Sequence, residues 1–206
     1  MWRYALLSSA YRKMGSGCFG VRHHFKTEKL KMTFKQLLAK YVTGNLPTDQ
    51  FPNIGITGIE EGLDSPSLLI LAGLSKNESL YEIEHYFKRT IEELKIELPD
   101  KPKASIELAS AIIDEIHAGE KDLIEGLREI RNQVLDSYDF YTESKNYCYD
   151  SIGFEKIYGL YDSFEDLSNA DYSWQLHKSN KQLMAELKEE LLTELKIWNE
   201  KIKNGA

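Results

Sequence analysis

The chain has 206 residues and a formal charge of −7, with 42% hydrophobic and 29% charged residues. This length and composition fit one compact domain with a substantial core. No apolar run approaches the roughly 20 residues that cross a bilayer, so the sequence predicts no membrane-spanning helix. The net negative charge argues against general nucleic-acid binding, whose affinity comes mainly from neutralising phosphates. Two distant cysteines, Cys18 and Cys148, match neither a disulfide framework nor a metal-ligand spacing, so we expect a reducing, cytoplasmic compartment.

The first 31 residues differ from the rest of the chain in charge. They hold seven basic side chains and one acidic one, which gives them a formal charge of +6 and leaves −13 on residues 32–206. A targeting segment, a basic arm that contacts an acidic surface, and an upstream extension with Met32 as the true start all fit this pattern. We predict that this leader, residues 1–31, is disordered or an upstream mis-start. Residues 32–206 are then expected to form a single α-helical domain.

Capping residues delimit the first predicted helices. Thr33 is an N-cap residue, and Gly44 ends the helix that follows it. Asp64-Ser65-Pro66 combines cap-type residues with a proline suited to a first helical position. Gly73 is expected to close the turn after the short apolar helix that begins there. The predicted helices of this part cover residues 34–43, 54–61 and 66–72.

Three longer helices follow, over residues 80–94, 103–118 and 122–135. Ser79 and Glu82 form a predicted capping box at the start of the first. Gly119 is expected to end the second helix. Gly126 weakens the third by about 1 kcal/mol relative to alanine. The residues predicted to face inward on the first helix recur at helical spacing: Leu80, Ile83, Phe87, Ile91 and Leu94.

Residues 136–174 change in character before the last helix. This stretch holds eleven aromatic residues and nine acids against two lysines. One helix is predicted over residues 154–167. The strongest helical pattern of the chain covers residues 180–203, where a single stripe recurs at steps of three and four: Leu183, Leu187, Leu191, Leu195, Trp198 and Ile202. The expected fold is therefore all-α, a single irregular multi-helix domain closed by a long C-terminal helix.

One pattern resembles a dimetal site. Glu82 precedes His85 by three residues, and Asp114 precedes His117 by three. Helical carboxylate proteins use this spacing because positions i and i+3 share a face. On a helical wheel both acids fall opposite the apolar stripe of their helix, facing water, so we predict solvated faces and no metal. No catalytic or cofactor-binding residues are predicted, and Cys148 is expected to be a small, buried or half-buried thiol.

The acidic, aromatic stretch is the better candidate for function. Tyrosine and tryptophan are enriched in binding hot spots, and carboxylates around them favour a basic partner. The alternative is that most of these rings belong to the core and the acids form a solvated face. The predicted partner-binding residues are Tyr158, Tyr161, Asp162, Glu165, Asp166 and Trp174.

Three segments carry a resemblance to other proteins. These are residues 62–74, the Glu-Leu-Pro end at residues 97–99, and the Ile-x-x-Gly-Glu turn at residues 116–120. Together they resemble a group of small bacterial helical proteins of uncharacterised function that carry a Gly-x-Asp-Ser-Pro-x-Leu-x-x-Leu-Ala-Gly-Leu signature. The resemblance covers about residues 32–130 and transfers no catalytic residue. It implies a bacterial, cytoplasmic, all-α protein.

We predict that the chain is a non-catalytic protein-binding module, with an immunity- or antitoxin-type inhibitor of a basic protein as the most specific version. The first alternative is an enzyme or small-ligand-binding protein with a pocket lined by the tyrosines of residues 138–149. A buried pocket with convergent polar groups would favour this alternative, and an acidic face with exposed rings would favour the binding module. The second alternative is a helical adaptor that self-associates through the stripe of the last helix.

Overall fold

The computed structural model describes residues 32–75, 78–169 and 177–205. Within these ranges the chain is helical and has no strand, which confirms the all-α prediction. A 3-10 turn precedes α2, another precedes α8, and the π-helical turn Ile130–Leu135 continues α6. The basic leader and Trp174 lie outside the described residues. The α-helices are α1 Phe34–Val42, α2 Phe51–Glu60, α3 Pro66–Gly73, α4 Leu80–Glu93, α5 Lys101–His117, α6 Leu123–Glu129, α7 Phe140–Glu143, α8 Glu155–Asn169 and α9 Asn180–Lys203.

Local capping explains where most helices begin. The Thr33 side chain accepts a hydrogen bond from the Gln36 amide, and the Gln36 side chain accepts one from the Thr33 amide, which completes a capping box on α1. Ser79 caps α4 by accepting from the Glu82 amide, one half of the predicted box. Gly119 takes a φ of +74° behind α5, as expected of a residue that ends a helix. The predictions for Thr33 and Gly119 are confirmed, whereas only the Ser79 half of the predicted capping box on α4 is formed.

Several helix boundaries differ from the predictions. Helix α2 begins at Phe51 rather than residue 54, because the 3-10 turn Thr48–Gln50 leads directly into it. Gly73 is the last residue of α3, and the extended backbone of Leu74 ends that helix. The predicted helix over residues 122–135 is α-helical only to Glu129, after which the chain widens into the π-helical turn.

Two hydrophobic clusters form the core. The first gathers apolar residues of α1 to α4, and the second gathers those of α5, α6, the π-helical turn, α8 and α9. Met32 packs against both clusters, and α1 lies against α5. The junction also carries polar contacts, since Lys35 Nζ lies 2.6 Å from Glu107 Oε2 and Asn45 Nδ2 donates to the Gln133 carbonyl at 2.8 Å.

The last helix packs on the second cluster as its stripe predicted. Leu183, Leu191, Leu195 and Trp198 are buried in α9, which confirms a long closing C-terminal helix. Asp114 was expected to face water, and this was wrong. It is half-buried on α5 and accepts hydrogen bonds from Asn199 and Lys203 of α9 at 2.8 and 2.6 Å.

Leu80 is a second correction. It was predicted to face inward with Ile83 and Phe87, but its side chain is 51% exposed while theirs are 0% and 1% exposed. Leu80 is the first residue of α4, directly after the N-cap Ser79. The periodic pattern marks one stripe of the helix, but the first cluster does not extend far enough to cover its first turn.

Helices α2 and α3 approach each other at a glycine. A Cβ atom on Gly55 would lie 2.5 Å from the Ala72 backbone nitrogen and 2.8 Å from its Cα. Both atoms belong to the backbone, so they cannot rotate out of the way. The absence of a side chain at Gly55 is therefore what allows α3 to lie so close to α2.

Gly55→Ala is expected to destabilise the fold by about 1–3 kcal/mol, because the new methyl group overpacks the contact between α2 and α3. Gly159→Ala is the matched control, since Gly159 lies within α8 with no neighbour within 4 Å of the added Cβ. There alanine should stabilise the helix by up to about 1 kcal/mol. Urea unfolding of both variants measures the difference. Equal effects at the two glycines would contradict the close approach.

Candidate interaction surface

Helix α8 divides the predicted contact residues between its two faces. Tyr161 is 3% exposed, and its ring packs in the second cluster. Tyr158 and Glu165 are half-buried, whereas Asp162 and Asp166 are exposed. The inward face of α8 comprises Ile157, Tyr161, Phe164 and Leu167. Asp162 and Asp166 are one helical turn apart, so they stand together on the outward face.

Glu165 forms two contacts that determine which face of α8 points inward. Its carboxylate accepts a hydrogen bond from the Tyr161 hydroxyl at 2.7 Å and another from Arg131 Nη1 at 3.1 Å. Arg131 belongs to the π-helical turn, so the ion pair joins that turn to α8. Burial, and then the hydrogen bond to Glu165, raise the pKa of Tyr161 above its ordinary value. Tyr161 and Glu165 therefore position the helix.

The one lysine of α8 is neutralised by the last helix. Lys156 Nζ lies 2.8 Å from Glu194 and 3.1 Å from Glu190, both on α9. These contacts, led by the hydrogen bond to Glu194, raise the pKa of Lys156. The side chains of Asp162 and Asp166 have no hydrogen bond or ion pair with any described residue. The outward face of α8 therefore presents negative charge that nothing in the described fold neutralises.

A pair of tyrosine rings lies at the N-terminal half of α8. The rings of Tyr149 and Tyr158 have centroids 4.8 Å apart and planes inclined by 63°, a favoured aromatic geometry. Burial, followed by the charge of nearby Tyr158, raises the pKa of Tyr149. Asp162 follows Tyr158 by one turn, so the ring pair and the exposed carboxylates belong to neighbouring parts of one surface.

Helix α7 and the loop that follows it add two exposed rings. Tyr141 of α7 is 65% exposed and Tyr147 of the loop is 71% exposed. Asp150 orders this loop by accepting hydrogen bonds from three consecutive amides, at 2.9, 2.8 and 3.2 Å. These bonds, led by those from Asn146 and Lys145, lower the pKa of Asp150. The loop thus holds Tyr147 in solvent on an ordered backbone.

Cys148 was predicted to be buried or half-buried, and this was wrong. The thiol is free and exposed, because it lies in the same loop as Tyr147 rather than on a helix face that packs inward. Trp174, the sixth predicted contact residue, lies outside the described ranges. Sequence reasoning missed Tyr141 and Tyr147 as candidate contacts; their place in a loop between two predicted helices was the available signal.

The tyrosines of residues 138–149 do not line either of two clefts on the described surface. One cleft, of about 450 Å³, lies beside α6 and the π-helical turn. Its Lys121 pairs with Glu115 at 2.7 Å and also with Glu129. Burial lowers the pKa of Lys121, but these two carboxylates outweigh it and the net shift is upward. Its lining residues are Lys121, Glu125, Arg128, Glu129, Asn132 and Gln133.

The acid-x-x-His pairs do not converge on a common site. Glu82 and His85 are exposed on α4, while Asp114 is engaged by α9 and His117 ends α5 in an exposed position. Across residues 32–75, 78–169 and 177–205, no three histidine, cysteine, aspartate or glutamate side chains are gathered so that they could hold a metal ion. In the same ranges, no helix is both long and apolar enough to cross a membrane.

The Asp64-Ser65-Pro66 motif caps the start of helix α3. Ser65 Oγ accepts a hydrogen bond from the Leu68 amide at 3.2 Å, which caps α3. The Glu93 carboxylate, at the end of α4, accepts from the Ser67 amide at 2.9 Å and from the Ser67 hydroxyl at 2.7 Å. The amides of Ser67 and Leu68, which have no acceptor within α3, are thus both hydrogen-bonded, and that of Ser67 is bonded by a neighbouring helix.

Comparisons with protein-family models, curated proteins and solved structures found no match for the chain. The resemblance of residues 62–74 to a bacterial group therefore rests on the sequence alone. A function has to be argued from the surface itself.

The hydrogen bonds from Ser67, first that of its hydroxyl, hold the pKa of Glu93 below its ordinary value of 4.5. A lowered folded-state pKa stabilises the fold above the unfolded pKa, and this stabilisation is lost as the pH falls through the folded value. We therefore expect the wild type to exceed Glu93→Gln in unfolding free energy at neutral pH, and the difference to shrink below pH 4.5. Urea unfolding across this range measures it.

Glu92→Gln is the control, because the Glu92 side chain is exposed and has no hydrogen bond or ion pair with any described residue. It should lower the unfolding free energy at neutral pH by less than Glu93→Gln does. A Glu93→Gln difference that does not change with pH would show that the carboxylate does not hold the start of α3.

Proposed function

We propose that the chain is a non-catalytic protein-binding module whose partner carries a basic surface. Its most specific form is an immunity- or antitoxin-type inhibitor that covers the active site of a basic protein. The observation that carries the proposal is the exposed, unneutralised pair of carboxylates at Asp162 and Asp166 on α8. We name the acidic tyrosine surface as the exposed Tyr141, Tyr147, Asp162 and Asp166 with the half-buried Tyr158.

Both side-chain types on this surface suit protein recognition. Exposed carboxylates attract a basic partner and accelerate its approach, and they suppress binding of acidic proteins. Tyrosine offers a large contact area at a small loss of rotamer freedom. Residues 136–169 hold eight acids and two lysines, and one of those lysines, Lys156, is paired with α9. The surface therefore combines aromatic anchors with an excess of negative charge.

The two alternative functions have less support in the described surface. Tyr141 and Tyr147 are exposed and line neither of the two clefts described above, which favours a protein contact over a small-molecule pocket. Three members of the α9 stripe, Leu191, Leu195 and Trp198, are buried in the second cluster, and Ile202 packs against it. That stripe is consequently occupied by the protein's own core, which leaves little of it for self-association.

Reversing the two exposed charges of α8 should abolish partner capture. We expect the full chain to capture one stoichiometric basic protein from a lysate of its source organism, and added salt to release it, because salt screens exposed charges. Asp162→Lys with Asp166→Lys should lower the captured amount at least about tenfold, a loss of 1.4 kcal/mol or more. Quantitative mass spectrometry of the captured proteins measures the effect.

Glu92→Lys with Glu97→Lys changes the net charge equally at two exposed positions away from α8. This control should retain the partner. Capture that survives the α8 reversal, or that both double variants lose equally, would refute the proposed contact surface.

A further inference from the structure

Helix α3 is apolar on every side. Its eight residues are proline, serine, leucine, isoleucine, alanine and glycine, with no charged side chain. A helix of this kind is normally buried all round. Leu69 and Ile70 are nevertheless 54% and 43% exposed. The outer face of α3 is therefore exposed to solvent, although a helix of this composition is normally buried.

Helix α2 extends this apolar face across the contact between the two helices. Ile56 and Ile59 of α2 are 40% and 39% exposed. Gly55 lies against Ala72, and Gly58 against Leu68, so the two helices run antiparallel. Ile59 is one turn after Gly55, and Leu69 is nearly one turn before Ala72. Both side chains therefore border the same seam between α2 and α3.

A groove adjoins the seam on the α1 side of α2. Its volume is about 330 Å³, and Ile56 is one of its walls. Met32 and Leu37 are further apolar lining residues, and the polar ones are Gln50, Asn53 and Thr57. The exposed apolar face and the groove therefore share Ile56 and form one continuous feature. We name it the α2–α3 face, comprising Ile56, Ile59, Leu69, Ile70 and the groove.

The chain segment that builds this face carries charge of one sign. Residues 41–75 contain four acids and no lysine, arginine or histidine. Asp49 and Asp64 are exposed near the beginning of α2 and the beginning of α3. On the neighbouring helix α4, Arg89 Nη2 lies 3.4 Å from Glu93 Oε1. The same Glu93 carboxylate accepts the hydrogen bond from the amide at the start of α3. An apolar face bordered by carboxylates is complementary to a segment that carries apolar and basic side chains together.

We infer that the α2–α3 face docks a basic amphipathic helix of a partner protein. The apolar stripe of such a helix would cover Ile59 and Leu69 and place a side chain in the groove beside Ile56. Its lysine or arginine residues would then reach Asp49 and Asp64. This is the helix-in-groove mode of recognition. The site is separate from the acidic tyrosine surface, and the inference goes beyond the proposed function without depending on it.

A synthetic peptide tests the inference on the full chain. The probe is a fluorescently labelled helical peptide of about 18 residues, five turns long, with leucine on one face and lysine on the other. Fluorescence anisotropy should detect saturable binding that weakens with salt. Ile59→Ser with Leu69→Ser should raise Kd at least about tenfold. A scrambled peptide of the same composition, which has the charge without the stripe, should bind the wild type at least about tenfold more weakly.

Leu192→Ser with Ile197→Ser is the matched control, since these α9 residues are 37% and 48% exposed and lie away from the face. It should leave Kd unchanged. Equal binding of the scrambled peptide, absence of binding, or an equal effect of both serine pairs would overturn the inference. Loss of peptide binding on Asp162→Lys with Asp166→Lys, but not on Ile59→Ser with Leu69→Ser, would also overturn it, because it would place the peptide on the other surface.

Discussion

The burial of α5 is the constraint around which the described fold is organised. This helix packs against α1 on one side and against α6, the π-helical turn and α9 on others. Helix α5 therefore contacts helices of both hydrophobic clusters, because α1 belongs to the first cluster and α9 to the second. Small side chains allow the close approach of so many neighbours. Its buried residues are Ala104, Ser105, Leu108, Ala109, Ser110, Ala111, Ile112, Ile113 and Ile116.

The acidic tyrosine surface follows from this arrangement by a short series of contacts. The π-helical turn packs on α5 and carries Arg131 to Glu165. Glu165 also binds the Tyr161 hydroxyl, so α8 turns Tyr161 into the core and leaves Asp162 and Asp166 outside. Helix α9, which also packs on α5, forms an ion pair with Lys156 through Glu194. The same contacts that stabilise the second cluster therefore concentrate unneutralised negative charge on the outer face of α8.

Local chemistry predicted much of this fold. The ends of α1, α4 and α5 follow from Thr33, Ser79 and Gly119, because each cap is made by residues close in sequence. The widening of the chain at Ile130 has no such local signal. Gly126 looked unfavourable in a helix, yet a Cβ there would lie 2.5 Å from Ile116 Cδ1, a contact across two helices. Such contacts depend on tertiary packing, which periodicity does not report.

The candidate site was predictable in its composition and less so in its geometry. The excess of tyrosine and carboxylate over residues 136–174 drew attention to the segment that carries the exposed Asp162 and Asp166. Periodicity alone did not reveal that Glu165 binds both Tyr161 and Arg131, nor that α7 and the loop after it would expose Tyr141, Tyr147 and Cys148. Which face of α8 turns outward is decided by α9 and the π-helical turn, both distant in sequence.

Hydrogen–deuterium exchange of the full chain, with and without its captured partner, tests the central claim most directly. A partner bound at the acidic tyrosine surface must slow exchange in α8, in α7 with Tyr141 and in the following loop with Tyr147. We expect the largest protection within residues 136–169 and little change in α4, which contributes nothing to that surface. Protection that spares residues 136–169, with a partner stoichiometrically bound, would contradict the assignment of α8 as the contact surface.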